Sequence, residues 1–191
     1  MDGPTDASSA PISPAVGVAI RAEEPGDVRA ISDVVAAAFG SQAEADLVQA
    51  IRESEHFVPA WSLVAEAHGL IVGHVMVSFA TLVDGRKSRR ITMLSPLAVV
   101  PDAQRHGIGS ALVREVAARV DEHGEPLIVL EGSPAFYGRL GFEFAVPYGI
   151  HIKLPEWAPP EAAQVLRLRS YDAALRGRVV YPPAFDLVTE D

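Results

Sequence analysis

The sequence predicts an α/β (α+β) fold, a single domain built on a mixed sheet. Three observations carry that prediction. Apolar extended runs alternate with segments of helical period from Val16 to Phe142. The chain has 191 residues, enough for one real core and short for two. Hydrophobic residues make up 49% and charged residues 21%, values of a globular chain rather than a disordered one.

Taken in order, Met1 to Ala15 is rich in Ala, Ser and Pro and lacks the basic and apolar regions of a secretion signal. It reads as a disordered tail on a cytoplasmic protein. Val16 to Arg21 alternates weakly, as a first strand would. Asp27 then stands at the N-cap position of a helix whose stripe is Val28, Ile31, Val34, Val35 and Ala38, and Gly40 can end it. Leu47, Val48 and Ile51 predict a second, shorter helix reaching about to Glu55. Ser62–Ala67 and Leu70–Leu82 form a hairpin around His68-Gly69. Asp84-Gly85-Arg86-Lys87 turns the chain into a strand from Ile91 to Val100. Pro96 inside that strand removes a backbone donor, so regular pairing should break there, at an edge or a bulge.

A helix follows with Ile108, Ala111, Leu112, Val116 and Val120 on one stripe, and Gly124 stops it. Pro126 to Leu130 has the composition of a short buried strand. Ser133 is placed to cap a brief helix from Pro134 to Leu140, with Pro134 at its favoured first position. Gly141 ends it, and Phe142 begins another extended segment. Ile150–Leu154, Val165–Leu168 and Arg178–Tyr181 look extended, and a loop containing Trp157 runs from Pro155 to Pro160.

Composition removes several classes of function. A formal charge of −9 argues against nucleic acid as the main partner. The absence of cysteine excludes disulfides, thiolate metal sites and a cysteine nucleophile. No apolar run approaches the ~20 residues of a membrane span, so no membrane partner is expected. His56, His68, His106, His123 and His151 show no ligand spacing, and no metal site is expected.

The most informative stretch is Gln104-Arg105-His106-Gly107-Ile108-Gly109, between the Pro96 strand and the long helix. A helix start bare of capping side chains presents free backbone N–H groups and the positive end of its dipole, which suits a phosphate. Gly107 and Gly109 let a pyrophosphate approach where a Cβ would obstruct it. The stretch lacks the Lys-Ser/Thr ending of a P-loop, and Leu112 stands where the dinucleotide fingerprint needs a third small residue.

This loop resembles the Q/R-x-x-G-x-G/A acyl-CoA pyrophosphate loop of the GNAT (general N-acetyltransferase) superfamily, and Leu97-Ala98-Val99 is similar to the strand before it. Phe136-Tyr137-Gly138-Arg139-Leu140-Gly141-Phe142 is similar to the family's F/L-Y-x-x-x-G-F signature. The resemblance covers roughly Val16 to Tyr148. Gly177 to Phe185 also looks like the C-terminal extension of a subgroup of predicted bacterial N-acetyltransferases.

The resemblance implies an acyl-CoA N-acyltransferase domain over residues 16–154. It further implies a mostly antiparallel central sheet, splayed at the middle and flanked by helices on both faces, with an extension over 155–191 packing on it. Acetyl-CoA would be the acyl donor and a primary amine of a small molecule or peptide the acceptor, by direct attack in a ternary complex. Leu97, Ala98, Val99, Gln104, Arg105, His106, Gly107, Ile108, Gly109, Ser110, Ser133, Phe136 and Tyr137 would bind the donor. The Val99 amide would stabilise the developing oxyanion. Tyr137 would protonate the leaving thiolate, since an unperturbed phenol of pKa about 10 is protonated at neutral pH.

Ser133 stands near the place of an Asn frequent in the family, and Arg139 is a second phosphate candidate beside Arg105. Some family enzymes carry a glutamate where this chain has Met93. Glu66, His74 and Glu131, on or beside predicted strands, are the candidates for a base, and a water relay or an already neutral amine would need none. The missing carboxylate and Asn also motivate an alternative, a non-catalytic acyl-CoA-binding sensor or interaction module. Glu44, Asp46, Glu53 and Glu55 are placed to attract a cationic amine. The apolar C-terminal segment can pack on its own sheet or across a homodimer.

Overall fold

The computed structural model describes residues 17–187, so the tail expected over 1–15 lies outside the described residues. Val18–Ala22 (β1) pairs antiparallel with Phe57–Ala67 (β2), which pairs with Leu70–Asp84 (β3), which pairs with Lys87–Val99 (β4). Between β1 and β2 lie helices Val28–Phe39 (α1) and Ala43–Arg52 (α2). After β4 come helix Ile108–Glu122 (α3), strand Leu127–Glu131 (β5) and the short helix Pro134–Tyr137 (α4). Glu143–Phe144 (β6), Ile150–His151 (β7), Ala163–Arg167 (β8) and Gly177–Val180 (β9) complete one nine-stranded sheet among the described residues. Its order is β1-β2-β3-β4-β5-β8-β6, with β9 on β3 and β7 on β9. Most pairs are antiparallel; β4 with β5 and β7 with β9 are parallel.

Each face of this sheet buries its own core. Ile31, Val34 and Val35 of α1 and Leu47, Val48 and Ile51 of α2 cover Val64, Met76, Ile91, Met93, Leu127 and Val129. On the other face, Ile108, Leu112, Val116 and Val120 of α3 cover Leu63, Val75, Val77, Leu94, Ile128 and Leu130. The odd–even split along β3, β4 and β5 follows from the two-residue side-chain period of a strand. Gly73 sits under the first turn of α3: a Cβ there would lie 3.0 Å from Leu112 Cδ1 and 3.3 Å from Ile108 Cγ2. The helix start therefore rests directly on the strand.

Pro96 does break the pairing. Val75 opposes Leu97 and Val77 opposes Leu94, so Ser95 and Pro96 together face Met76 alone. This bulge shifts the strand's phase by one residue. Below it Ile91 and Met93 face α1 and α2, and above it Leu97 and Val99 both join the α3 face. Pairing of β4 with β5 is confined to Thr92↔Ile128 and Met93↔Val129. Beyond Met93 the two parallel strands part, and the sheet is splayed at its middle.

Several local expectations differ in detail. Asp27 precedes α1 but does not cap it; its carboxylate accepts from Arg21 at 2.6 and 3.1 Å and from the Glu24 amide at 2.8 Å. Ser133 precedes α4 without a side-chain cap, and its backbone carbonyl accepts from the Phe136 and Tyr137 amides instead. β2 begins five residues early, at Phe57, because Pro59 falls inside a register irregularity that hides the alternation. The extended segment expected over Ile150–Leu154 is a strand only at Ile150–His151. β8 lies between β5 and β6, so part of the C-terminal segment is built into the sheet.

Candidate active site

The loop after β4 is held by its own residues. Pro101–Ala103 forms a 3-10 turn, and Arg105 and Gly107 adopt left-handed backbone conformations, with φ of 64° and 82°. The second suits glycine and is costly for any other residue. The Gln104 side-chain amide donates to the Val99 carbonyl at 3.0 Å, which pins the loop to the end of β4. Gly107 precedes α3 and no side chain caps it, so the first-turn amides face outward.

These elements enclose a cleft of about 610 Å³ on the α3 side of the splay, lined by Leu97, Val99, Ala103, Gln104, Arg105, Gly107, Gly109, Ser110, Phe136 and Arg139. A Cβ on Gly109 would enter it, lying 3.6–3.7 Å from Phe136, Leu97 and Val99. The glycine therefore keeps the floor open. Its walls are apolar where Leu97, Val99 and Phe136 stand and cationic where Arg105 and Arg139 stand, as an elongated ligand with a phosphorylated end requires.

The backbone of β4 adds donors. The Val100 amide donates to the Val72 carbonyl at 3.0 Å, which makes that facing pair a hydrogen-bonded one. Antiparallel ladders alternate, so the amides of Val99 and Leu97, opposite Gly73 and Val75, point away from β3. They point toward the side on which β5 has already departed. Two backbone N–H groups thus face the splay.

Eight of the thirteen residues expected to bind the donor line this one cleft, Leu97, Val99, Gln104, Arg105, Gly107, Gly109, Ser110 and Phe136, and so does the phosphate candidate Arg139. Tyr137 lies just beneath, 9% exposed, with its ring edge-on to Phe136 at 4.8 Å and to Phe142 at 5.4 Å. Burial pushes its phenol up to about 12. Four expected residues do not line the cleft. Ala98 faces the α1/α2 core, and the ladder directs its amide to β3; Ile108 is packed in the α3 core; His106 and Ser133 are exposed outside it. The chain contributes two residues not foreseen as binding groups. Ala103 lines the cleft, and Gly132 makes room for Tyr137, because a Cβ on it would lie 2.8 Å or less from the ring. A glycine at a strand end was the visible signal for the second.

The three candidate bases fall in different places. Glu66 pairs with Arg21 at 3.2 Å on the β1 edge, far from the splay. His74 is fully buried on the α1/α2 face, where Ser62 Oγ lies 2.9 Å from its Nε2. Glu131 ends β5 beside the splay as an exposed residue, and partial desolvation raises its carboxyl above the ordinary range. Among the described residues no group of three or more His, Asp or Glu is placed to hold a metal ion.

Known proteins with this architecture include acetyltransferases solved with CoA and with acetyl-CoA. The acetyltransferase (GNAT) domain family matches residues 19–145, and the chain belongs to that family. It is similar to the uncharacterized N-acetyltransferase YhbS of Escherichia coli K12, with 34% identity over 83% of this chain and 90% of that protein. It is also similar to the uncharacterized N-acetyltransferase YjhQ of the same organism, at 37% identity over 61% of this chain; the matched region spans 65% of YjhQ. The crystal structure of E. coli YhbS in complex with CoA superposes with a TM-score of 0.78, covering 91% of this chain and 94% of that one at 32% identity. A Brucella melitensis GNAT acetyltransferase in complex with acetyl-CoA gives 0.71, covering 88% and 98% at 31% identity.

Proposed function

We propose that this protein transfers an acetyl group from acetyl-CoA to a primary amine, by direct attack while both are bound. The observation that carries the reading is the pair of β4 amides, Leu97 and Val99, turned into the splay beside a glycine-floored cleft that ends on the α3 N-terminus. The apolar stretch of that cleft suits the pantetheine arm of the donor. Gly107, Gly109, Ser110, Arg105 and Arg139 suit its pyrophosphate. The CoA and acetyl-CoA complexes of the two similar proteins support this ligand.

The Val99 N–H, turned away from β3, takes the charge that develops on the thioester oxygen, with no reorganisation needed at that moment. Tyr137, kept protonated by burial, is the proton source for the leaving thiolate. A phenol held that high is a weaker acid than a free thiol, so the transfer belongs to the step in which the C–S bond breaks and charge develops on sulfur. Isothermal titration with acetyl-CoA tests the reading directly. Binding below millimolar concentration is expected, and its absence overturns the proposal. Binding without thiol release in the presence of any amine would instead favour an acyl-CoA sensor.

A further inference from the structure

Two exposed features lack partners among the described residues, and they complement each other. The first is the β3–β4 hairpin. Arg86, Lys87, Arg89 and Arg90 crowd its turn and the first rungs of β4, and β9 adds Arg178 opposite Val83. All five are exposed and none forms an ion pair among the described residues, whereas Arg21, Arg52, Arg119, Arg167 and Arg169 each pair with a carboxylate. Directly opposite residues share a face of a sheet, so Arg90 and Arg178 flank Thr81 and Val83 on the α3 side. The helix stops short of them, at Glu122, where His123 meets Trp61 and Trp61 meets Phe79. The Arg90 guanidinium lies 3.9 Å from the centroid of the Phe79 ring, and its exposed side is open to a second ring.

The second feature is the loop that leads into β8. Its Trp157 is 82% exposed, more than any other large apolar side chain among the described residues. Glu156 and Glu161 flank it in the chain, both exposed and without an ion pair among the described residues. An indole left in water beside two unpaired carboxylates has the composition of an interface anchor rather than of a solvated loop. The loop joins β8 at Ala163, opposite Glu131 at the C-terminal end of β5, and β5 runs parallel to β4. The hairpin turn stands at the start of β4, and the Met93↔Val129 pair is already roughly 20 Å along the strand from Lys87. Loop and hairpin therefore lie toward opposite ends of the sheet and do not meet within one chain.

We propose that a second copy of this chain covers the basic face: the Trp157 loop of each protomer docks on the β3–β4 hairpin of its partner. The indole stacks on Arg90, and Glu156 and Glu161 pair with Arg178 and the cations of the turn. A twofold axis perpendicular to the strands exchanges the two ends of the sheet, so it makes both contacts at once and closes the pair as a dimer. The formal charge of −9 opposes association with any acidic partner over distance, but salt screens that repulsion beyond about 10 Å and leaves the contact itself to decide. There the match is specific. The hairpin offers guanidinium groups, the loop offers a ring and two carboxylates, and one pairing satisfies both. Nucleic acid would satisfy the arginines and leave the Trp157 loop as it is.

Sedimentation equilibrium of the full chain is the test, with circular dichroism and the thermal midpoint as controls for folding. A dimer is expected at low salt, and its dissociation constant rises about tenfold on going from about 50 to about 500 mM NaCl. Trp157→Ala raises it about 30-fold. Two charge-reversed variants, Arg90→Glu with Arg178→Glu and Glu156→Arg with Glu161→Arg, are each monomeric alone, because like charges then face each other. Mixed in equal amounts they form a heterodimer: the reversed hairpin of one meets the reversed loop of the other, and the two native segments meet likewise. A wild type that stays monomeric up to about 100 μM overturns the inference. So does a dimer whose dissociation constant Trp157→Ala leaves within about twofold, or a mixture of the reversed variants that remains monomeric. A monomer that binds a short single-stranded oligonucleotide through Arg90 and Arg178 gives the face to nucleic acid and overturns it as well.

Discussion

The α3 face of the sheet and the α1/α2 face are built by different means. On the α3 face, the strand end, the loop and the helix start lie within Leu97 to Ser110, and only Phe136 and Arg139 come from farther away. Its working groups are largely backbone: two turned amides, a bare helix start and glycines that exclude a Cβ. On the α1/α2 face, Glu23, Arg52, Ser62 and His74 meet from four separate segments of the chain, and the groups that matter are side chains. A surface made of backbone donors keeps its hydrogen-bonding groups whatever side chains stand on it. A surface assembled from distant side chains is free to vary and to select.

The sharpest way to break this comparison is at Tyr137, which lies on the α3 side but would act through its side chain. Tyr137→Phe is expected to lower kcat by about 10²- to 10⁴-fold while acetyl-CoA affinity hardly changes, measured by thiol release and by titration. An unchanged kcat would move the proton source elsewhere. Next in size is Gly109→Trp. The indole fills the cleft between Phe136, Leu97 and Val99, and acetyl-CoA Kd is expected to rise about 100-fold with the circular dichroism spectrum intact. If affinity is retained, the donor does not lie along that floor.

Gly132→Ala tests the same side more gently. The new methyl meets the Tyr137 ring, so the ring must move, at a cost of about 1–3 kcal/mol typical of overpacking. A fall in thermal midpoint together with a lower kcat, at unchanged acetyl-CoA affinity, is the expected pattern. A stability loss with full kcat would mean that the ring position is not critical.

The contrast between the faces also governs what could be read along the chain. The cleft was legible because its residues are contiguous and its glycines sit where a helix begins, so eight expected residues converge on it. The bulge at Pro96 was legible from one missing donor, but its consequence, the phase shift that turns Leu97 and Val99 to one face, needs the register of β3. Ala98 and Ile108 lie within the motif yet point into the two cores, since neighbours on a strand or helix face different ways. Asp27 was placed correctly at the start of α1, but Arg21 outcompetes the helix amides for its carboxylate. Nothing in the spacing of Glu23, Ser62 and His74 announces their network. That depends on the register of β2 with β3.

The smallest expected effect concerns a buried polar group on the α1/α2 face. Ser62 has a single proton, and its Oγ lies 2.5 Å from Glu23 Oε2, so it donates to that carboxylate. His74 must then donate Nε2–H to Ser62 at 2.9 Å, which leaves its Nδ1 lone pair buried and without a partner. Arg52 closes the network, donating to Glu23 at 2.7 and 3.0 Å. Burial drives the His74 imidazole below its ordinary value, because a second ring proton would be charged and unpaired. Burial also works against ionised Glu23, but the His74 ring 3.6 Å away and hydrogen bonds from Arg52 and Ser62 outweigh it and hold the carboxyl well below the carboxylate range. Both groups have depressed folded-state values, so both contribute stability that is present at neutral pH and lost on acidification. His74 comes first: below about pH 6.5 the unfolded chain binds a proton that the folded one refuses, at about 1.4 kcal/mol per pH unit. For a chain of this size that is about 3–6 °C in thermal midpoint per unit. Glu23 adds its own loss below about pH 4. His74→Gln, which keeps a donor toward Ser62 but cannot titrate, should start from a lower midpoint and stay flat between pH 6.5 and 5, where wild type declines. An equally steep decline in the variant would place the acid-sensitive group outside this network.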